Sequence, residues 1–420
     1  MAQGTPLLRK LLVGYGTSEA IAKGLNIALT LGLATFVDVR SYGIIAILIA
    51  IELVLTELIL LGQHTVQLRY HESFKSAISK LYSSSLALIL AAACTILILY
   101  LAFSQQILDI TGVNVQARDF CLLIVGIAMQ CHISLYLAYL RSEDKVLEYG
   151  VIRIGYQVAK ILAVICMAIM LNHASAYPIG IFIANITILL TLAPIINRNT
   201  QGYTKISRVS SPTIKQNLLM GLPLTAHALI GVINSTTDRF IINKTLAPEQ
   251  LAVYNFAFTQ GTAIFFILNI LSLAYVPLIY RNQAYNNNAK KLLLDYYKIS
   301  TLGAILLSII IYFIVYPLSL SFVDENYSTG GIIVALALLS VIIRPISQVG
   351  IYKLTLLGDV NVIPLATLVC LGANICFNLT FIPKFGITGA AIAVLLSEAI
   401  YGLITLILSS TMAARRLKTS

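Results

Sequence analysis

Long apolar segments follow one another along almost the whole chain, with a short polar connector between each and the next. Each has about 20 residues or more, enough for a helix to cross a ~30 Å hydrocarbon layer. A helix also satisfies its own backbone polar groups in lipid. The pattern predicts an all-α polytopic membrane protein with twelve transmembrane helices, over residues 11–36, 42–63, 78–103, 119–140, 149–171, 176–196, 217–243, 250–279, 292–319, 330–357, 361–382 and 386–411.

Composition agrees with this pattern and leaves no water-soluble domain. Hydrophobic residues make up 58% of the 420 residues and charged residues only 11%. The first apolar segment carries Glu19 and Lys23 in its middle, so we expect it to remain as a helix rather than to be removed as a signal peptide. The six cysteines lie in apolar segments without Cys-x-x-Cys spacing, which favours small buried hydrophobic residues over disulfides or metal ligands.

Lysine and arginine collect on one side of the predicted membrane. One set of connectors and ends carries 19 of them and the opposite set only five. Because short cytoplasmic loops retain basic residues, both termini and residues 197–216 are predicted to be cytoplasmic, and residues 324–328 external. The net charge of +11 follows largely from this bias, so we expect no nucleic-acid partner.

The longest connector divides the predicted helices into six and six. It covers residues 197–216 and separates an N-terminal lobe (1–196) from a C-terminal lobe (217–420). A weak repeat at an offset of 207 relates residues 11–14 to residues 218–221, at the first helix of each lobe. Six helices return the chain to the same side, so the lobes would be parallel repeats around a central cavity. Glycines in both first helices indicate either interrupted helices or close packing.

Two predicted helices carry polar residues on one face. Glu19, Lys23, Asn26 and Thr30 recur at i, i+4, i+7 and i+11 in the first helix. Arg153, Gln157 and Lys160 repeat the pattern in the fifth. Charges at a helix centre are costly in lipid, so these faces predict a polar interior. For Glu19 and Lys23, an internal i, i+4 ion pair is an equal alternative.

Further intramembrane charges complete the set of candidates. We interpret Arg153, Lys160 and Arg344 as substrate-binding cations, because each lacks an acid close by in sequence. Arg239 is a further candidate, with a structural pair to Asp238 as its alternative. The acids that are candidates for ion coupling are Glu19, Glu57 and Glu398, and Glu52 is a further intramembrane acid.

Motifs of enzymes and nucleotide-driven pumps are missing from the sequence. It has no phosphate-binding Gly-x-x-x-x-Gly-Lys loop, no His-Glu-x-x-His and no Gly-x-Ser-x-Gly. The histidines show no metal spacing, and no cofactor is expected. We therefore expect a transporter driven by an ion gradient, a partner or the substrate gradient, not an enzyme.

The C-terminal stretch from Asn374 to Glu398, with Pro383, Gly386 and Gly389, resembles the last helix pair of Wzx-type O-antigen and capsule flippases of the MATE-like superfamily. Two shorter segments, residues 222–255 and 322–327, are similar to other parts of that family.

The resemblance implies translocation of undecaprenyl-pyrophosphate-linked sugar repeat units across the bacterial inner membrane by alternating access. It implies a cationic cavity, which suits Lys23, Arg153, Lys160 and Arg344, and partners that include membrane lipid, a glycan polymerase and chain-length proteins. A pyrophosphate is costly to move through hydrocarbon, and cations in a wet cavity replace its hydration.

Three alternatives are compared with this function. A flippase of peptidoglycan lipid precursor is nearer in chemistry, but that family usually has fourteen helices and the sequence has room for only twelve. A MATE-like multidrug or organic-cation antiporter would share the architecture but use an acidic cavity. The intramembrane glutamates are compatible with that function. A membrane glycan polymerase or ligase typically has a long external loop, whereas the longest external connector here is about 15 residues.

Overall fold

The protein is all-α in the part that the structure describes. This structure is a computed structural model that describes residues 4–111, 115–200, 202, 209–282, 285–359 and 361–419. Chain contacts divide it into two compact units, Met1–Thr236 and Thr237–Ser420. The predicted fold class, an all-α polytopic membrane protein, is confirmed.

In the first unit, helices follow one another with short connectors. They are α1 (Gly4–Phe36), α2 (Val39–Leu60), α3 (Gln63–Tyr70), a 3₁₀ turn (Glu72–Ala77), α4 (Ile78–Ala102), α5 (Ser104–Thr111), α6 (Ala117–Ser142), α7 (Val146–Leu171), α8 (Ala176–Asn199) and the part of α9 (Ser211–Thr245) up to Thr236. Asp38 caps α2, because its Oδ1 accepts a hydrogen bond from the Ser41 backbone N–H over 3.0 Å.

The start of α9 packs against the break between α2 and α3. Leu61 and Gly62 both have positive φ there, at 46° and 64°. A Cβ atom at Gly221 of α9 would lie 2.3 Å from the Leu61 carbonyl oxygen, so only glycine allows this approach. At this position the glycine of the predicted seventh helix serves close packing, and α9 runs on without interruption.

The second unit contains the remaining helices. They are the end of α9, α10 (Pro248–Thr262), α11 (Ile264–Tyr280), α12 (Asn287–Ile310) with a π-helical turn (Ile311–Val315), α13 (Tyr316–Leu320), a 3₁₀ turn (Glu325–Gly330), α14 (Gly331–Leu356) and α15 (Val362–Thr419).

Helix α15 folds back on itself and forms two antiparallel arms. The turn lies at Gly386, whose φ of 60° and ψ of −143° are open to glycine but strained for other residues. Across the arms, Thr367 Oγ1 lies 3.2 Å from the Tyr401 hydroxyl and Cys370 Sγ lies 3.5 Å from the Ser397 carbonyl oxygen. The predicted eleventh and twelfth helices are these two arms.

Ten helices in the described part are long and apolar enough to cross a membrane. Nine coincide with the second to tenth predicted helices, and the tenth is α15 with both its arms. Helix α1 is not among the ten, because its polar stripe lowers its hydropathy. Large apolar side chains cover the outer faces, among them Leu147, Val151 and Phe313, which are 83%, 72% and 70% exposed.

The boundary between the two compact units lies in α9, C-terminal to the predicted linker at 197–216. Ser210 N donates to Ser84 Oγ over 3.2 Å and Asn217 Nδ2 to Ser85 Oγ over 3.0 Å, so the start of α9 packs with the first unit. Within the linker, residues 201 and 203–208 lie outside the described residues. The predicted division at 1–196 and 217–420 stays a prediction.

All six cysteines are free, but their expected burial is only partly correct. Cys131 and Cys370 are buried and Cys121 is half-buried, whereas Cys94, Cys166 and Cys376 are exposed. The exposed three lie on helices with lipid-facing surfaces, where a small apolar residue is tolerated without burial in the protein.

Candidate functional site

One carboxylate joins the two helices with predicted polar faces. Arg153 of α7 donates to Glu19 of α1 through two hydrogen bonds, Nε to Oε1 over 2.9 Å and Nη2 to Oε2 over 3.2 Å. The Tyr149 hydroxyl, one turn before Arg153, also donates to Glu19 Oε1. The Arg153 and Glu19 side chains are 24% and 35% exposed, so this charge-assisted cluster remains accessible.

Lys23 does not form the ion pair with Glu19 that the sequence offered as an alternative. Its side chain is exposed, and it makes no hydrogen bond or ion pair of its own with the described residues. Its charge nevertheless acts on Glu19. The physical reason is that guanidinium binds a carboxylate in a fixed two-bond geometry, which a flexible ammonium group on the same helix does not match.

The predicted polar faces of the first and fifth helices come together, as α1 and α7. Gln157 Nε2 donates to Asn26 Oδ1 over 3.3 Å, one turn beyond the pair of Arg153 with Glu19. The Thr30 carbonyl oxygen accepts a hydrogen bond from the Tyr42 hydroxyl over 2.9 Å. The polar faces of α1 and α7 therefore meet at two points, Glu19 with Arg153 and Asn26 with Gln157, whereas Thr30 and Lys160 contact residues of α2.

A second cluster lies deeper in the first unit. Lys160 Nζ donates to Glu52 Oε1 over 2.9 Å, with side chains only 8% and 6% exposed. The Tyr177 hydroxyl donates to the other Glu52 oxygen, and Lys160 Nζ lies 5.8 Å from the Tyr177 ring centre. A cavity of about 50 Å³ adjoins these three residues and Asn26. That volume suits one or two water molecules rather than a substrate.

In the second unit, Arg344 of α14 is held between an acid and an aromatic ring. Its Nη1 donates to Glu398 Oε1 over 3.2 Å, and its guanidinium lies 4.2 Å from the Phe265 ring centre. The Arg344 side chain remains 38% exposed, whereas Glu398 is 16% exposed. Glu398 Oε2 is buried and has no hydrogen-bond partner among the residues that the structure describes, so this carboxylate is only half satisfied.

Arg239 belongs to a buried structural cluster near the end of α9. Its Nη1 lies 3.6 Å from Asp238 Oδ1, and its Nε donates to Asn255 Oδ1 over 3.1 Å. The Tyr254 hydroxyl donates to the second Asp238 oxygen. The side chains of Arg239 and Asp238 are 15% and 4% exposed, and this low exposure favours the structural alternative for Arg239.

Glu57 differs from the other intramembrane acids. Its Oε2 is buried and has no hydrogen-bond partner in the described part of the chain. His64, just beyond the α2 to α3 break, also has a buried Nδ1 without a partner. Burial lowers the pKa of His64, and the positive charge of Arg141 lowers it further, so its ring is neutral at pH 7.

The candidate residues therefore form separate clusters, and each of Arg153, Lys160, Arg239 and Arg344 has an acidic neighbour. No group of residues suited to a metal ion occurs in the described ranges. Sequence reasoning missed the tyrosine donors Tyr149, Tyr177 and Tyr254. All three reach carboxylates on other helices, but only Tyr149 lies four residues before a predicted site residue of its own helix, Arg153, and could have been found by helical spacing.

Comparison with known families decides which class of membrane protein this is. The sequence profile of the family described as polysaccharide biosynthesis protein matches residues 13–283, well over half of the chain. The chain belongs to the polysaccharide biosynthesis protein family. A search of curated proteins found no match.

Solved structures place this member of the polysaccharide biosynthesis family in a known transporter fold. It is similar to an inward-facing multidrug resistance MATE family transporter of the MOP superfamily, with a TM-score of 0.74, 13% identity and coverage of 94% of this chain and 95% of that one. A MOP superfamily transporter from Pyrococcus furiosus, described as having a binding pocket of reverse polarity, gives a TM-score of 0.68 at 14% identity and 99% coverage of both chains. At these identities the likeness establishes the fold alone.

Proposed function

We propose that this membrane protein flips undecaprenyl-pyrophosphate-linked sugar repeat units across the bacterial inner membrane, with both termini cytoplasmic. The observation that carries the proposal is the match of residues 13–283 to the polysaccharide biosynthesis protein family. The transporter fold adds a route across the bilayer. The substrate class rests on the sequence resemblance to Wzx-type flippases described above.

The first unit offers cations suited to a pyrophosphate. Lys23 of α1 is exposed, and Arg153 of α7 is 24% exposed; the charges of both act on Glu19. A pyrophosphate presents several oxygens to accept charge-assisted hydrogen bonds, and Arg153 already presents two donors in parallel to Glu19. Substrate binding would exchange the Glu19 carboxylate for the pyrophosphate on Arg153, with Lys23 adding a second positive charge.

This exchange also provides a means of ion coupling. When Arg153 turns to the pyrophosphate, Glu19 loses its ionic partner and a proton from the aqueous phase neutralises it. When the pyrophosphate leaves, Glu19 releases that proton and pairs with Arg153 again. Binding and protonation are thereby linked without ATP. Glu57 and Glu398, each with a buried carboxylate oxygen that has no partner, are the next candidates for the same role.

Lys160 and Arg344 are both proposed to line the substrate path, and the case for Arg344 is the stronger one. Arg344 is 38% exposed and can exchange Glu398 for a ligand, whereas Lys160 is 8% exposed. Arg239 has the weakest case, because its cluster is buried and its nitrogens already have partners. Any contact with a glycan polymerase or chain-length protein is likewise a proposal, taken from the family resemblance.

A genetic experiment tests the substrate class. Cells that lack the chain should lose surface glycan and accumulate lipid-linked repeat units in the cytoplasmic leaflet. The wild-type chain should restore export. Arg344→Ala should restore it poorly at normal protein level, and Lys215→Ala, a lysine of the predicted cytoplasmic connector, should restore it fully. Unchanged surface glycan in cells without the chain would overturn the proposal.

Organic-cation antiport is the second candidate, and Glu57 is the observation that favours it. A half-buried carboxylate whose buried oxygen has no partner in the described part of the chain can hold a cation, unlike Glu19 and Glu52, which are paired. Cells without the chain would then become sensitive to lipophilic cations while their surface glycan stays normal. Glu57→Gln should reproduce that sensitivity. Normal resistance in those cells would exclude this candidate.

A further inference from the structure

A cavity of about 360 Å³ lies in the second unit, where α12 begins and α14 ends. The first turns of α12, the last turns of α14 and the second arm of α15 form its walls, and Tyr285 comes from the connector before α12. Its volume falls in the range of small-ligand sites, about 300–1,000 Å³. None of the clusters described above lines it.

One end of this cavity is cationic. Lys290 lies in the first turn of α12 and Lys353 in the last turn of α14, and both line the cavity. Lys353 Nζ lies 5.2 Å from the Tyr285 ring centre. The positive charge of Lys290 is close enough to repel that of Lys353. Among the described residues, those that line the cavity include no acid. Two neighbouring ammonium groups without a carboxylate are suited to a bound anion.

The rest of the wall is mostly apolar and reaches the outer surface. Leu293, Ile346 and Val349 line the interior, and Leu294 and Leu406 are 49% and 47% exposed. On helices that cross a membrane, such exposed leucines face lipid chains. The cavity therefore combines a cationic end with an apolar opening toward lipid.

We infer that this cavity binds an anionic phospholipid of the predicted cytoplasmic leaflet, with the phosphate between Lys290 and Lys353 and part of an acyl chain along the leucines. Lys290 and Lys353 belong to the lysine-rich set of helix ends that the sequence places on the cytoplasmic side, where anionic lipids attract basic residues. A lipid-linked glycan fits less well, because Tyr285, Tyr297 and Ser409 are the only polar uncharged side chains in the lining. The inference does not depend on the transported substrate.

Native mass spectrometry of the purified full-length chain tests it. Phosphatidylglycerol, phosphatidylcholine with the same acyl chains, undecaprenyl phosphate and inorganic phosphate are titrated separately. We expect phosphatidylglycerol to bind best and the affinity to fall about fivefold for each lysine removed in Lys290→Ala and Lys353→Ala. The pair Lys290→Arg with Lys353→Arg should retain binding.

Lys291→Ala is the matched control, since Lys291 is an exposed neighbour on α12 outside the cavity lining. Equal binding of both phospholipids, or equal loss in Lys291→Ala, would overturn the inference. Stronger binding of undecaprenyl phosphate would also overturn it and would assign the cavity to the carrier lipid. Inorganic phosphate that binds as tightly as phosphatidylglycerol would overturn it as well, because the apolar wall would then contribute nothing to binding.

Discussion

Arg153 of α7 and Glu19 of α1 face each other through two parallel hydrogen bonds of 2.9 and 3.2 Å. Tyr149 adds a third donor to the same carboxylate. The pair stays partly exposed, so an incoming anion can compete with Glu19 for the guanidinium. This competition is the physical basis of the proposed link between substrate binding and protonation.

Glu19→Gln should separate transport from its driving force. Glutamine mimics the protonated acid and leaves Arg153 free for substrate, so binding should persist while the dependence on a pH gradient disappears. The measurement is flipping in vesicles with and without an imposed gradient. Asp295→Asn serves as a control, because Asp295 lies on α12, away from the predicted polar faces. If Glu19→Gln still responds fully to the gradient, the coupling acid is another residue, with Glu57 tested next.

The buried pair of Lys160 and Glu52 should behave differently. Lys160→Met leaves a buried carboxylate without its cation, which costs about 3–5 kcal/mol of stability. Adding Glu52→Gln removes the uncompensated charge, so the double variant should be more stable than Lys160→Met alone. Thermal unfolding of the four proteins of this cycle measures the coupling. Additive effects would show that the 2.9 Å contact contributes no pairwise stabilisation.

The cap at Asp38 gives a pH-dependent prediction outside the membrane. Partial burial raises the pKa of Asp38, but hydrogen bonds from Ser41 and from backbone N–H groups outweigh it, and the pKa is lowered. A lowered carboxyl pKa stabilises the fold above its ordinary value near 3.8 and loses that contribution as pH falls through the folded-state value. Asp38→Ala should cost about 1 kcal/mol at pH 7.

Stability compared at pH 7 and at low pH checks this account of Asp38. The difference between wild type and Asp38→Ala should shrink as the carboxyl is protonated. A difference that stays constant between pH 7 and pH 3 would show that Asp38 does not act through its charge.

Membrane topology follows from the charge bias and is open to a direct test. Ser328 and Ser73 are both exposed and lie in 3₁₀ turns, between α13 and α14 and between α3 and α4. In a cysteine-free background, a membrane-impermeant maleimide added to whole cells should label Ser328→Cys and not Ser73→Cys. Labelling of Ser73→Cys but not of Ser328→Cys would show that the topology is the reverse of the predicted one.

The helices were predicted well from the sequence because a helix that crosses lipid needs about 20 predominantly apolar residues in a row. Such a segment is recognised without any knowledge of the tertiary structure. The polar face of α7 could also be predicted from the sequence, since helical spacing alone places Arg153, Gln157 and Lys160 on one face. The acidic partners of Arg153 and Lys160 could not be predicted from the sequence. Glu19 and Glu52 lie more than a hundred residues away in the chain, and only the packing of α7 against its neighbours selects them.

Local spacing also misled at one point. Glu19 and Lys23 satisfy the i, i+4 rule, yet the carboxylate binds Arg153, whose two donors and tyrosine neighbour offer three hydrogen bonds. The break in α15 was predicted from the apolar segments, which place the last two helices at 361–382 and 386–411, whereas the half-satisfied carboxylate of Glu398 follows from three-dimensional burial.

Reconstituted flipping tests the central claim most directly. Vesicles that contain the purified chain and an undecaprenyl-pyrophosphate-linked oligosaccharide are exposed to a lectin that cannot cross the membrane, and glycan that reaches the lectin is measured over time. We expect wild-type vesicles to expose inner-leaflet glycan, and Arg153→Ala vesicles with the same amount of folded protein to do so at least about tenfold more slowly, since one charge-assisted contact contributes about 1.5–3 kcal/mol. Wild-type vesicles that expose no more glycan than protein-free vesicles would contradict the account.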